Sequence, residues 1–225
     1  MTGIIAELSH FTGARDAGGW VELHHGGDLV ERHHTGRWLW DADPVDLRML
    51  SHCTGATIDI GCGPGRLTVA LAHLGLPALG IDISAEAVRH ARARGATALQ
   101  RDVFTRLPGE GRWRWAVLAD GNIGIGGDPV RLLERIGALV VPDGAVAVEV
   151  HPEEIDHRGT SRLRLPDDTL GPEFPWAAVG ARALTDAAAA AGWQVDLVWR
   201  DGDRRFVTMR RAHRSPASQP ARVRA

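Results

Sequence analysis

The residues best equipped for chemistry are three aspartates, Asp59, Asp82 and Asp102, grouped around a glycine turn, Gly61-Cys62-Gly63-Pro64-Gly65-Arg66. A β-branched run (Thr57, Ile58, Ile60) precedes the turn and reads as a short buried strand. Residues 67–74 follow with apolar side chains at helical spacing. Strand, glycine turn and helix form the unit by which open α/β sheets bind nucleotide-like ligands at their strand ends. Glycine there supplies positive φ, close backbone approach to a ligand and tight strand–helix packing. The helix start adds free N–H groups. Asp82 ends the next strand-like run, where a carboxylate accepts hydrogen bonds from ribose hydroxyls.

Spacing narrows the ligand. A dinucleotide fingerprint requires a third small residue where this chain has Arg66, whose bulk obstructs the close approach. A P-loop is excluded, because G-x-x-x-x-G-K-[ST] is missing and the chain contains no lysine. All 26 basic residues are arginines and tyrosine is absent, which removes Schiff-base chemistry and Lys or Tyr general bases. Histidine is then the leading base, and His151 directly follows a strand-like run, with Glu149, Glu153, Glu154 and His157 close in sequence. The pairs His24-His25 and His33-His34 lack metal-ligand spacing and adjacent side chains point apart, so no metal is expected. A cap that contributes His or Trp (Trp20, Trp38, Trp40) to a pocket for a small polar or aromatic compound fits them better.

The elements that must position these groups follow in order. Residues 1–42 read as short helices or a loop-rich cap, and Asp43-Pro44 starts a helix. Strands are expected at 57–60, 77–82, 97–101, 115–119 and 145–150, with helices between them capped by Ser84 and Asp128. Pro142-Asp143-Gly144 reads as a turn, and the polar residues 151–180 as a loop insertion. A helix over 181–191 leads to strands at 195–200 and 205–210, joined as a hairpin by Asp201-Gly202-Asp203. Residues 213–225 are expected to be a disordered tail.

A length of 225 residues suits one domain with a sizeable core. The net charge of −2 offers no basic field for nucleic acid or an anionic membrane. No run is long and apolar enough to span a bilayer, no signal peptide opens the chain, and Cys53 and Cys62 form no disulfide framework. A soluble cytoplasmic protein is expected.

The pattern Asp59-x-Gly61-x-Gly63-x-Gly65, with the later motifs in register over about residues 45–211, resembles the class I S-adenosylmethionine (SAM)-dependent methyltransferases. The resemblance implies an α/β fold: a Rossmann-like seven-stranded doubly wound sheet ending in an antiparallel hairpin, with an N-terminal cap. It divides the chain into a cap and substrate segment (1–44), a SAM-binding core (45–212) and the tail (213–225). By similarity, Gly61, Gly63 and Gly65 approach the methionine part of SAM and Asp59 supports its amino group. Asp82 would hold the ribose, Ile83 the adenine face, Asp102 the adenine amino group and Val103 the ring edge. Asp120, Gly121 and Asn122 would line the methionine end and face the acceptor, with His151 as base. The implied function is in-line methyl transfer from SAM to a small molecule, with no nucleic acid or membrane partner. An NAD(P)-dependent oxidoreductase and a SAM-binding protein without transferase activity stay open as alternatives.

Overall fold

The computed structural model of the chain describes residues 19–212. The proposed tail at 213–225 and the first 18 residues of the cap segment lie outside the described residues.

Period-two alternation shapes the start. Strands β1 (Trp20–His25) and β2 (Asp28–His34) form a hairpin in which Val21 and Leu23 are buried and Trp20 is exposed. Gly26 and Gly27 make its turn at φ of 60° and 99°, a conformation open to glycine at little cost. The expected short helices or loops are therefore a β-hairpin here, followed by a 3₁₀ turn at Thr35–Leu39.

Helix α1 (Pro44–Leu50) starts at Asp43 with a reciprocal capping box to Asp46 and proline in its first turn. Strand β3 (Thr57–Ile60) is buried throughout and runs through the glycine turn into helix α2 (Arg66–His73). Strand β4 (Ala78–Asp82), helix α3 (Ala85–Ala93, capped by Ser84) and strand β5 (Ala98–Gln100) complete the first half. The second half is β6 (Trp113–Leu118), α4 (Pro129–Leu139, capped by Asp128) and β7 (Val140–Val150). Pro142-Asp143-Gly144 lies inside β7, where the register against β6 shifts, and is not a separate turn before it.

Residues 151–180, expected as a loop, contain β8 (Asp156–His157), β9 (Thr160–Arg164), β10 (Phe174–Pro175) and β11 (Ala178–Val179). Ser161 and Leu163 point inward from β9, and β9 pairs with β1 across the whole intervening core. The cap is thus a four-stranded antiparallel sheet, β10-β9-β1-β2, built from both segments. Helix α5 (Ala181–Ala190) then leads to β12 (Trp193–Asp201) and β13 (Arg204–Arg211), the terminal antiparallel hairpin.

The main sheet has seven strands in the order β12-β13-β7-β6-β3-β4-β5, parallel except at the hairpin. One face packs Ile58, Ile81, Leu118 and Val148 against Leu132 and Ile136 of α4 and Leu184 of α5. The other packs Val117, Ala147 and Phe206 against Met49 and Leu50 of α1 and Leu71 of α2. Each such buried Leu, Ile or Met contributes about 1.5–3 kcal/mol. From β3 the chain winds outward through β4 and β5, then restarts on the opposite side with β6. The gap between β3 and β6 is the switch point where such sheets bind ligands. Among the described residues no helix is long and apolar enough to cross a membrane.

Candidate functional site

A cleft opens at that switch point, over the C-terminal ends of β3, β4, β5 and β6. Asp59, Gly61, Gly63, Asp82, Ile83, Asp102, Val103, Asp120 and Asn122 all line it. The glycine turn has a separate reason for each small residue. Gly61 sits at φ 71°, and a Cβ there would lie 2.7 Å from Asn122 Nδ2. Asn122 donates through that nitrogen to the carbonyls of Ile60 (3.0 Å) and Gly61 (2.9 Å), tying the loop after β6 to the end of β3. Gly63 turns its N–H to Asp82 Oδ2 at 2.9 Å. Gly65, at φ 87°, lets α2 start against α3, since a Cβ would lie 2.8 Å from that of Ala91. Gly65 has no side chain to cap α2, whose first residues, Arg66 and Leu67, line the cleft.

Asp59 is 2% exposed and accepts from Thr68 Oγ1 at 2.6 Å. Burial pushes its carboxyl up to about 7; the Thr68 hydroxyl opposes this, and the charges of Asp120 and Asp82 add to it. The folded protein then binds a proton here that the unfolded chain releases above about 3.9. That contribution to stability is fully present below the unfolded value and is lost as pH rises through 7. Asp59→Asn should therefore stabilise the ligand-free protein more at pH 8 than at pH 5.5, by about 2 kcal/mol. Thermal unfolding at the two pH values checks this; equal effects would mean that Asp59 is ionised throughout.

Behind the cleft lies a buried network of charges. Arg66, 4% exposed, donates to Asp46 and, at 2.6 Å, to Asp120 Oδ2. Arg204 grips Glu149 with two bonds of 2.6 and 2.7 Å and reaches Asp46 at 2.8 Å. Glu149 in turn accepts at 2.9 Å from the backbone N–H of Asp120, which is held at φ 51°. Burial works against ionisation of Asp120, but the guanidiniums of Arg66, Arg37 and Arg204 outweigh it and hold the carboxyl below the usual range. Sequence reasoning found neither Asp46 nor Arg204 and saw Arg66 only as an obstruction. The box Asp43-x-x-Asp46 was a readable signal for the first; nothing local marks the second.

Residues 58–144 match a family model described as a methyltransferase domain. The chain is 31% identical over 151 residues to a trans-aconitate 2-methyltransferase of Paracidovorax citrulli, covering 64% of this chain and 52% of that protein. It thus spans about half the length of that relative. A SAM-dependent methyltransferase of Bacteroides fragilis, solved with S-adenosyl-L-homocysteine, superposes with a TM-score of 0.70 at 19% identity, covering 93% of each chain. A 1,6-didemethyltoxoflavin-N1-methyltransferase of Burkholderia thailandensis gives 0.57 at 21% identity, covering 80% of this chain and 84% of the other. Residues 58–144 thus match a methyltransferase domain, and the chain has the fold of the SAM-dependent methyltransferase on which it superposes.

The expected site residues separate into groups. Those at the ends of β3, β4 and β6, with the residues after β5, converge on the cleft. Gly65 acts behind it in packing, and Gly121 stands at its cap side, 3.6 Å from Glu31 Oε2 measured from an ideal Cβ. His151 is not brought to the cleft. Its ring nitrogens face the Val30 carbonyl of β2 (3.3 Å) and the Glu153 backbone, so it ties the end of β7 to the cap. The histidine pairs also disperse. His24 bonds Glu22 at 3.0 Å, His33 lies 3.4 Å from Glu31, His25 faces His157, and His34 sits between Trp20 and Trp40. Of the cap tryptophans, Trp38 lines the cleft.

Proposed function

We propose that the protein transfers the methyl group of SAM to a small-molecule acceptor. The observation that carries this reading is the convergence of Asp59, Asp82 and Asp102 with the Gly61–Gly63 backbone on one cleft at the strand switch point. The lining fits the cofactor: carboxylates suit a cationic ligand bearing a ribose, and the glycines leave room for close backbone approach. Asp82 would take the ribose hydroxyls, Ile83 the adenine face, Asp102 and Val103 the adenine edge, and Asp59 with residues 120–122 the methionine end. Bound SAM would supply an electrophilic methyl group with a good leaving group.

The chain's own contribution is then to orient the acceptor and exclude water, which is worth roughly 7–11 kcal/mol where alignment is good. The cap, whose described part is residues 19–44 with the 151–180 insertion, takes the acceptor side and brings Trp38 to the mouth, with Glu31 close to Gly121. The core, residues 45–212, takes the cofactor. The named substrates of the relatives, trans-aconitate and 1,6-didemethyltoxoflavin, support a small polar acceptor over a macromolecule. Two free, buried cysteines suit a reducing cytoplasm.

Thermal unfolding with SAM, S-adenosylhomocysteine, NAD and NADP in parallel tests the reading. The two adenosyl ligands should stabilise the protein by about 2.7 kcal/mol at a hundredfold excess over Kd. A shift with NAD or NADP alone would overturn it in favour of an oxidoreductase. Conversion of SAM to S-adenosylhomocysteine with small-molecule extracts then separates an enzyme from a SAM-binding sensor.

A further inference from the structure

We propose that Glu31, backed by His33, takes the proton from a hydroxyl of the methyl acceptor, and that this acceptor is an uncharged hydroxylated ring compound. The inference rests on the methyl-transfer reading above and supplies the proton acceptor that His151 does not.

The cap sheet turns an apolar face toward the core. Residues directly opposite one another in an antiparallel pair project to the same face. His33 stands opposite Val21 and Glu31 opposite Leu23, and both of those partners are fully buried. Two titratable side chains are thus set among apolar ones. Glu31 reaches the loop after β6: a Cβ built on Gly121 would lie 3.6 Å from its Oε2 and 3.9 Å from Cζ2 of the buried Trp176. Asp120 and Asn122, on either side of Gly121, line the cleft, as does Trp38. His33, 7% exposed, packs its ring against Trp38 at 6.0 Å between centroids. Its Nε2 has no hydrogen-bond partner among the described residues and lies 3.4 Å from Glu31 Oε2. An unpaired buried ring nitrogen costs stability, which a wholly apolar inner face would avoid.

The chemistry follows from that placement. A hydroxyl oxygen of the acceptor attacks the methyl carbon, the carbon–sulfur bond breaks, and its electron pair stays on sulfur, leaving neutral S-adenosylhomocysteine. The O–H proton passes to the Glu31 carboxylate and on to the free Nε2 of His33. Glu31 meets the acceptor and is the catalytic residue; His33 acts through it and is a positioning residue. Charge then sets the specificity. Asp120 is balanced by the guanidiniums of Arg66, Arg37 and Arg204, whereas Glu31 adds a carboxylate beside the loop that repels an anionic acceptor. The Trp38 indole in the cleft wall suits a planar ring.

Initial rates of S-adenosylhomocysteine formation by the full chain with SAM, using catechol and 4-nitrocatechol as acceptors at pH 8, test this. Catechol is uncharged there, whereas the nitro group leaves 4-nitrocatechol already ionised and in no need of a base. Wild type should methylate catechol. Glu31→Gln should lower kcat for catechol by about a hundredfold without the same loss for 4-nitrocatechol, because the repelling charge goes with the base. His33→Gln should show the same selectivity with a loss of about tenfold, and it carries the test if Glu31→Gln does not fold. Equal losses with both acceptors, no loss with catechol, or a wild type that binds S-adenosylhomocysteine by calorimetry yet leaves catechol unmethylated would overturn the proposal while the cofactor reading stands. A wild type that does not bind S-adenosylhomocysteine would overturn both.

Discussion

Asp82→Ala is expected to lower affinity for S-adenosylhomocysteine by a hundredfold or more. An ionised carboxylate offers about four lone-pair sites. In this cleft two are already used, Oδ2 by the Gly63 N–H at 2.9 Å and Oδ1 by the Ser84 N–H at 2.8 Å. These two bonds hold the carboxylate at the cleft, where a neighbouring pair of ribose hydroxyls would donate to it. Two charge-assisted bonds at about 1.5–3 kcal/mol each amount to at least a factor of about 100. The loss has a second source, because alanine frees the Gly63 N–H and with it the shape of the glycine turn. Asp82→Asn separates the two sources: its oxygen can satisfy one backbone N–H, but its NH₂ opposes the other donor and one hydroxyl proton. It should fall nearly as far as alanine in affinity while unfolding closer to wild type. Titration calorimetry and thermal unfolding of both variants read this, and an Asp82→Ala affinity within threefold of wild type would remove Asp82 from the ligand.

The parts of the site that were legible from sequence are those fixed within one strand–turn–helix unit. Asp59, Gly61, Gly63 and Gly65 alternate over seven residues, so the backbone alone sets which of them face the cleft. Asp82 follows because β4 pairs with β3 in parallel register, Ile60 opposite Ile81, which places the two strand ends together. The cap was misread although its alternation is plain in Trp20–His25. The residues that make its turn, Gly26 and Gly27, and the flanking histidines suggested irregular structure, whereas two glycines between alternating runs also make a hairpin. Its partner β9 lies far along the chain, and five residues with buried Ser161 and Leu163 give no local sign of which edge they will join. The charge network was hidden for the same reason. Arg66 meets Asp120 and Arg204 meets Glu149 across separations of 54 and 55 residues, and only the fold brings them together. His151 illustrates the converse: its place at the end of β7 was readable, but the direction of its ring is set by the cap that was not.

That network should dominate the stability of the domain. Arg204 is 12% exposed and supplies both guanidinium bonds that Glu149 receives, while lying 5.0 Å from the Phe206 ring. Arg204→Leu leaves Glu149 with the Asp120 N–H and no counter-charge, and takes one of three arginines from the fully buried Asp46. Breaking a buried pair from one side costs about 3–5 kcal/mol. For a chain of this size each kcal/mol lowers Tm by about 2–4 °C, so a fall of roughly 6–20 °C is expected by calorimetry. Adding Glu149→Leu should restore much of that stability, because it removes the stranded charge and its desolvation cost. The double variant should still bind S-adenosylhomocysteine poorly, since the Asp120 backbone N–H has lost its acceptor and the loop after β6 its strained geometry. Recovery of stability without recovery of binding would show that the buried ions serve the cleft more than the fold. A loss below about 1 kcal/mol for Arg204→Leu would place the pair among solvated surface bridges and sink the link from the terminal hairpin to the site.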